Sequence, residues 1–146
     1  MTARLAAATL LAIWLVFGLL MTLQPVDPAP GQVVDDNFVL FHTIQIYLAN
    51  LESPFWTGQL VGNLLLLMPV GLLGPIAFPA MNGWGRVLIV AVVLSAAIEL
   101  AQLQIPNRSA DVDDMLVNVF GALIGYALFR VLRLGSIRPE PVPERP

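Results

Sequence analysis

The chain has 146 residues, 58% of them hydrophobic and 12% charged, with a net charge of −3 and a mean hydropathy of +0.80. A soluble domain carries roughly 25% charged residues, so this chain lacks the polar surface to cover a water-facing globule. It has no cysteine, which excludes disulfides, thiolate nucleophiles and cysteine metal sites, and so small a net charge does not suggest nucleic-acid binding.

The apolar residues gather into four blocks, near 5–23, 60–80, 87–103 and 115–134. Each approaches the ~20 residues that a helix needs to cross ~30 Å of hydrocarbon. The expected architecture is all-α: one integral membrane domain over 1–137, built as a four-helix transmembrane bundle. The first block is longer than the ~7–15-residue core of a secretory signal and lacks a small-x-small cleavage site, so it reads as an uncleaved anchor.

Residues 24–59 form a long connection that opens on Pro25, Pro28, Pro30 and Gly31 and continues through Asp35 and Asp36. Phe38, Phe41, Ile44, Tyr47 or Leu48, and Leu51 then recur at helical spacing, which predicts a short interfacial helix. Tyr47 and Trp56 suit headgroup depth, and His42 reads as an interfacial histidine rather than a ligand. The second block carries Pro69, Pro75 and Pro79 with Gly71 and Gly74, which predicts a bent helix packed inside the bundle. Short connections make adjacent spans antiparallel neighbours. The tail 138–146 alternates proline with charge and is expected to be a disordered cytoplasmic end.

Orientation follows from arginine, because short cytoplasmic loops hold the excess of positive charge. With both ends inside, Arg4, Arg86, Arg130, Arg133, Arg138 and Arg145 are cytoplasmic and only Arg108 is external. The expected location is a bacterial-type plasma membrane, crossed several times, with cytoplasmic termini.

Polar residues inside the spans are the candidate site. A carboxylate at the centre of a spanning helix costs roughly 2.5–3.5 kcal/mol and normally faces protein or water. Glu99 lies in the third span, on one stripe with Ser95 and Gln102. In the fourth span, Asp114, Asn118, Gly121 and Gly125 fall on one line, and the glycines permit close approach of another helix. Asn63 lies near the outer start of the second span, and the loop before the fourth adds Arg108, Asp111 and Asp113. All sit in the outer third, which predicts a polar pocket open to the exterior and formed by spans two to four. The candidate ligand-binding residues are Asn63, Glu99, Gln102, Arg108, Asp111, Asp114 and Asn118, and the candidate helix-packing residues are Pro69, Gly71, Gly121 and Gly125. Helix capping by the aspartates, an ion pair from Arg108 to Glu99 or Asp111, and interhelical bonds from the asparagines would account for the same residues structurally.

These residues resemble the VanZ-like family. The clearest blocks are 63–71, from Asn63 to Met68, Pro69, Val70 and Gly71; Ile98 to Gln102 around Glu99; and Arg108 to Asp114, followed by Asn118, Gly121 and Gly125. Around Asn37 to Ile44, Leu40 stands where the family usually has proline and His42 where it usually has a basic residue. The family takes its name from a protein that confers teicoplanin resistance. The resemblance implies a small integral membrane protein of the cell envelope and supplies no reaction. An old phosphotransbutyrylase label on some members is not transferred, since no glycine-rich phosphate loop follows a strand here.

Three functions are open from the sequence. One is binding or screening of an amphiphile, a lipid-linked cell-wall precursor or a lipoglycopeptide, with membrane lipid as the surrounding partner and Arg108 contacting an anionic group. This would lower susceptibility to teicoplanin-type glycopeptides. Another is a membrane-embedded hydrolase or transferase acting on a lipid-linked substrate, with the carboxylates as base or as ligands for a hard divalent cation. It wants a nucleophile, so the sequence inclines against an enzyme, and no cofactor or dedicated metal site is expected. The third is a structural scaffold for an envelope complex.

Overall fold

The computed structural model describes residues 2–25 and 36–135. The expected tail at 138–146 and the prolines at 28 and 30 lie outside these residues. The architecture is an all-α bundle: α1 (Ala3–Thr22), α2 (His42–Ala49), α3 (Pro54–Ala77), a 3-10 turn (Pro79–Met81), α4 (Trp84–Gln102) and α5 (Val112–Gly135). Four of the helices are long and apolar enough to cross a membrane: α1, α3, α4 and α5 up to Arg133.

The second span and the interfacial helix differ most from the sequence expectation, and the third and fourth spans each start three residues earlier. The second span starts at Pro54, because proline at the first helical position costs no hydrogen bond and its fixed φ suits the helix. It ends at Ala77, with Pro79 opening the 3-10 turn. The helix continues unbroken through Pro69 and Pro75. The interfacial helix is shorter than its periodicity implies. It begins only at His42, after Phe41 adopts a left-handed φ of 66°, while Phe38 and Phe41 stay exposed.

The bundle is organised around a parallel pair. α3 and α5 both run away from the carboxylate-bearing end and share the largest interface. Their consecutive contacts follow one register, Leu64 with Gly121 and Met68 with Gly125. The main neighbour of α3 is therefore not α4, to which a short connection joins it. In a solvent as apolar as leucine, small residues that let backbones meet decide which helices associate, and these glycines are on α3 and α5. A Cβ on Gly71 would lie 1.8 Å from the Ala122 carbonyl oxygen, and on Gly121 or Gly125 it would lie 1.9 Å from that of Leu64 or Met68. The core beneath comprises Leu67, Val70, Val87, Ala91, Ala122 and Tyr126 among others. α1 packs on the other side of α3 through Ala7, Leu11 and Gly18, and turns Leu10, Ile13, Phe17 and Leu20 outward.

Candidate functional site

At the start of α5 the chain places three aspartates within four residues, and each has a separate task. Asp111 caps its own helix, its Oδ1 accepting the Asp113 N–H at 2.8 Å. The same carboxylate accepts Asn37 Nδ2 at 2.9 Å and Thr43 Oγ1 at 2.6 Å. Asp113, fully buried, reaches instead to the start of α2, where it accepts the N–H groups of Phe41, Thr43 and Ile44 at 2.6, 2.8 and 3.3 Å. A helix start leaves such donors unsatisfied, so Asp113 of α5 caps α2 from a distance and holds Phe41 in its left-handed conformation. A parallel bridge between Asn37 and Asp111 completes the clasp, with Asn37 N–H donating to the Ala110 carbonyl at 2.9 Å and Val112 N–H to that of Asn37 at 3.0 Å. This clasp ends the periodic pattern early, because residue 37 is bonded as extended chain rather than helix.

Asp114 points a different way. Its Oδ1 accepts the Tyr47 hydroxyl at 2.8 Å. Burial, and then the carboxylates of Asp114, Asp111 and Asp113, raise the Tyr47 phenol well above its ordinary value, so it stays a donor throughout the physiological range. Asn63 of α3 faces Asp114, while its buried Nδ2 makes no well-formed hydrogen bond. Glu99 of α4 is buried and accepts the Asp111 N–H at 2.9 Å, which ties the third span to the loop before the fourth.

Arg108 forms no ion pair; among the described residues, no arginine comes within 4.0 Å of a carboxylate oxygen. Its Nε donates to the Gln24 carbonyl at 2.9 Å and its Nη2 to that of Met21 at 3.5 Å, and Gln102 Nε2 donates to the Thr22 carbonyl at 3.3 Å. The last carbonyls of α1 have no partners within their helix, and side chains from the α4–α5 region supply them. The alternative of Arg108 pairing with Glu99 or Asp111 is thus replaced by a helix cap.

These contacts enclose a cavity of about 350 Å³ between α1 and α3. Asn63, Gln102, Arg108 and Asp114 line it together with Gln59 and Thr22 at its polar end, and Trp14, Phe17, Met21, Leu65 and Leu66 make it apolar. Four of the seven candidate residues therefore share one cavity. Glu99 and Asp111 stand outside its lining, bonded to each other. Asn118 lies a turn below Asp114 and turns toward α4, with Nδ2 donating to Ser95 Oγ at 3.0 Å and Oδ1 buried without a partner. The expectation of a pocket within spans two to four is corrected: α1 supplies much of the wall. Trp14 holds this interface by donating its indole N–H to the Leu66 carbonyl at 3.0 Å. Asn37, Thr43, Tyr47 and Trp14 were not legible as partners, because 52 to 74 residues separate them from the groups they bond. Among the described residues, no group of three His, Asp or Glu side chains is arranged to hold a metal ion.

A family model described as VanZ/LLP1 matches residues 6–133. No curated protein and no solved structure matches the chain.

Proposed function

Since this multi-pass membrane chain belongs to the VanZ/LLP1 family, we propose that it binds or screens an amphiphilic cell-wall lipid or lipoglycopeptide in the cavity between α1 and α3. The carrying observation is that one cavity combines a polar rim at a helix end with aromatic and aliphatic walls deeper in the span. An amphiphile presents the same two chemistries in the same order along the membrane normal. Its chain would lie against Trp14, Phe17 and Leu66, and its headgroup would meet Gln59, Asn63, Gln102 and Asp114.

Arg108 keeps the anion-contacting role in this reading, since a guanidinium has more donors than its bonds to α1 use. The rim otherwise offers amides and a carboxylate, which suit hydroxyl, amide and amine groups of a sugar or peptide headgroup. The arginine distribution supports an outward-facing rim and cytoplasmic termini. Occupancy or sequestration of the ligand there would lower susceptibility to teicoplanin-type glycopeptides. The enzymatic alternative draws less support, because Asp111 and Asp113 spend their oxygens on N–H and O–H donors of the clasp.

Gly62 provides the test. It lines the cavity, and a Cβ there meets nothing within 4 Å. A photo-reactive residue at 62 should capture lipid or lipoglycopeptide in intact cells. Gly62→Leu should abolish that binding and any resistance while leaving the thermal stability of the protein unchanged. Capture of protein alone, or full resistance in Gly62→Leu, refutes the proposal.

A further inference from the structure

The opposite end of the bundle holds a second cavity, of about 390 Å³, where the start of α1 meets the end of α3, the 3-10 turn and the last turns of α5. Arg4 of α1 and Arg133 of α5 both line it, and Pro75, Ile76 and Phe129 give it an apolar wall. Neither guanidinium has a side-chain hydrogen bond or an ion pair among the described residues, and both are exposed. The described acidic residues, Asp36, Glu52, Glu99, Asp111, Asp113 and Asp114, all belong to the other end. The tail beyond the described residues carries two glutamates, Glu140 and Glu144, and two arginines, Arg138 and Arg145, and so brings no net charge.

Two cations without a counterion among the described residues, drawn from different helices beside an apolar wall, suit an anion that also has an apolar part. Both arginines lie within a turn of the end of a candidate span, where a spanning helix meets the headgroup region. We propose that this cavity is a binding site for an anionic phospholipid. Arg4 and Arg133 share its phosphate oxygens, and Ile76, Pro75 and Phe129 receive the glycerol and the first methylenes. Guanidinium suits this task through its planar set of donors and weak hydration, and attraction of anionic headgroups by membrane-flanking arginine is strong enough to select among lipids. The site is independent of the cavity between α1 and α3, and its failure leaves the reading of that cavity untouched.

The experiment uses the full chain in a neutral detergent, with native mass spectrometry to count bound lipid. Phosphatidylglycerol should be retained over phosphatidylcholine, and inorganic phosphate at equal concentration should not displace it. Arg4→Ala/Arg133→Ala should lower phosphatidylglycerol affinity by roughly tenfold or more, and Arg4→Lys/Arg133→Lys should restore part of it. Arg86→Ala/Arg130→Ala removes the same charge from the same end outside the cavity, and should retain binding. Equal loss in the two alanine doubles, unchanged binding in Arg4→Ala/Arg133→Ala, or displacement by inorganic phosphate overturns the proposal.

Discussion

The α3–α5 seam and the α1–α3 interface both carry glycines, yet the seam is closed and the interface encloses a cavity. On the seam, Gly71, Gly121 and Gly125 each face a backbone carbonyl that leaves no room for a Cβ. On the α1 side, Gly18 faces only the movable end of Leu66, and Gly62 faces open space. Across this interface Trp14 donates its indole N–H to the Leu66 carbonyl, and Trp14, Phe17 and Met21 line the space left between the helices. A glycine in a membrane helix thus has no fixed meaning. What matters is whether the facing helix offers backbone or a bulky side chain.

The sharpest way to break this contrast is to add a methyl group on each side. Gly121→Ala or Gly125→Ala should force the parallel pair apart and cost about 3 kcal/mol or more, read as loss of the folded species in detergent unfolding. Gly58→Ala and Gly62→Ala, where a Cβ meets nothing within 4 Å, should be close to neutral. Equal effects in both sets would mean that the seam is not the platform of the fold.

Next in size is the clasp that fastens α2 to that platform. Asp113→Ala leaves the N–H groups of Phe41, Thr43 and Ile44 without their acceptor, at a cost of about 2 kcal/mol. Hydrogen exchange should accelerate at those three amides and stay unchanged along α3 and α5. A uniform rise across the bundle would show the clasp and the seam to be one cooperative unit.

Tyr47→Phe removes the phenolic donor to Asp114, at about 1 kcal/mol, and alters the alkaline limb of stability. The folded phenol is raised above its unfolded value, so its contribution is complete below about pH 10. It is lost as pH rises beyond that, because the unfolded phenol gives up its proton first. The wild type should therefore lose stability above about pH 10 more steeply than Tyr47→Phe.

An effect of similar size belongs to the cavity wall. Trp14→Phe deletes the bond to the Leu66 carbonyl, at about 1 kcal/mol, and should weaken amphiphile capture at position 62 more than it weakens the fold. The reverse order would make Trp14 a strut rather than part of a binding wall.

Several parts of this picture were readable in advance. Four unbroken apolar blocks of about 20 residues read as spanning helices, because hydrocarbon admits only helices and closed barrels, and a barrel strand is about half that length with alternating polarity. Gly121 and Gly125, spaced on one face of α5, announced a close contact, although not its partner. Asp114, Asn63, Gln102 and Arg108 were identified by their cost in the membrane or their place at its edge, and they do meet around one cavity. Asp113 resembled an ordinary helix-start acid, and nothing local distinguished it from Asp111. Its true partners are main-chain groups some 69 to 72 residues away.

By itself, the amino-acid order determined the number of candidate spans and their approximate places along the chain, since hydrophobicity and a rise per residue suffice for these. Only the tertiary structure decided that α3 pairs with α5 in parallel, that α1 closes the cavity, and that three adjacent aspartates divide their work between a cap, a clasp and a cavity rim. Periodicity tells which face of a helix is polar or small. Which distant helix meets that face depends on how close two backbones can come, and that is a property of the assembled bundle.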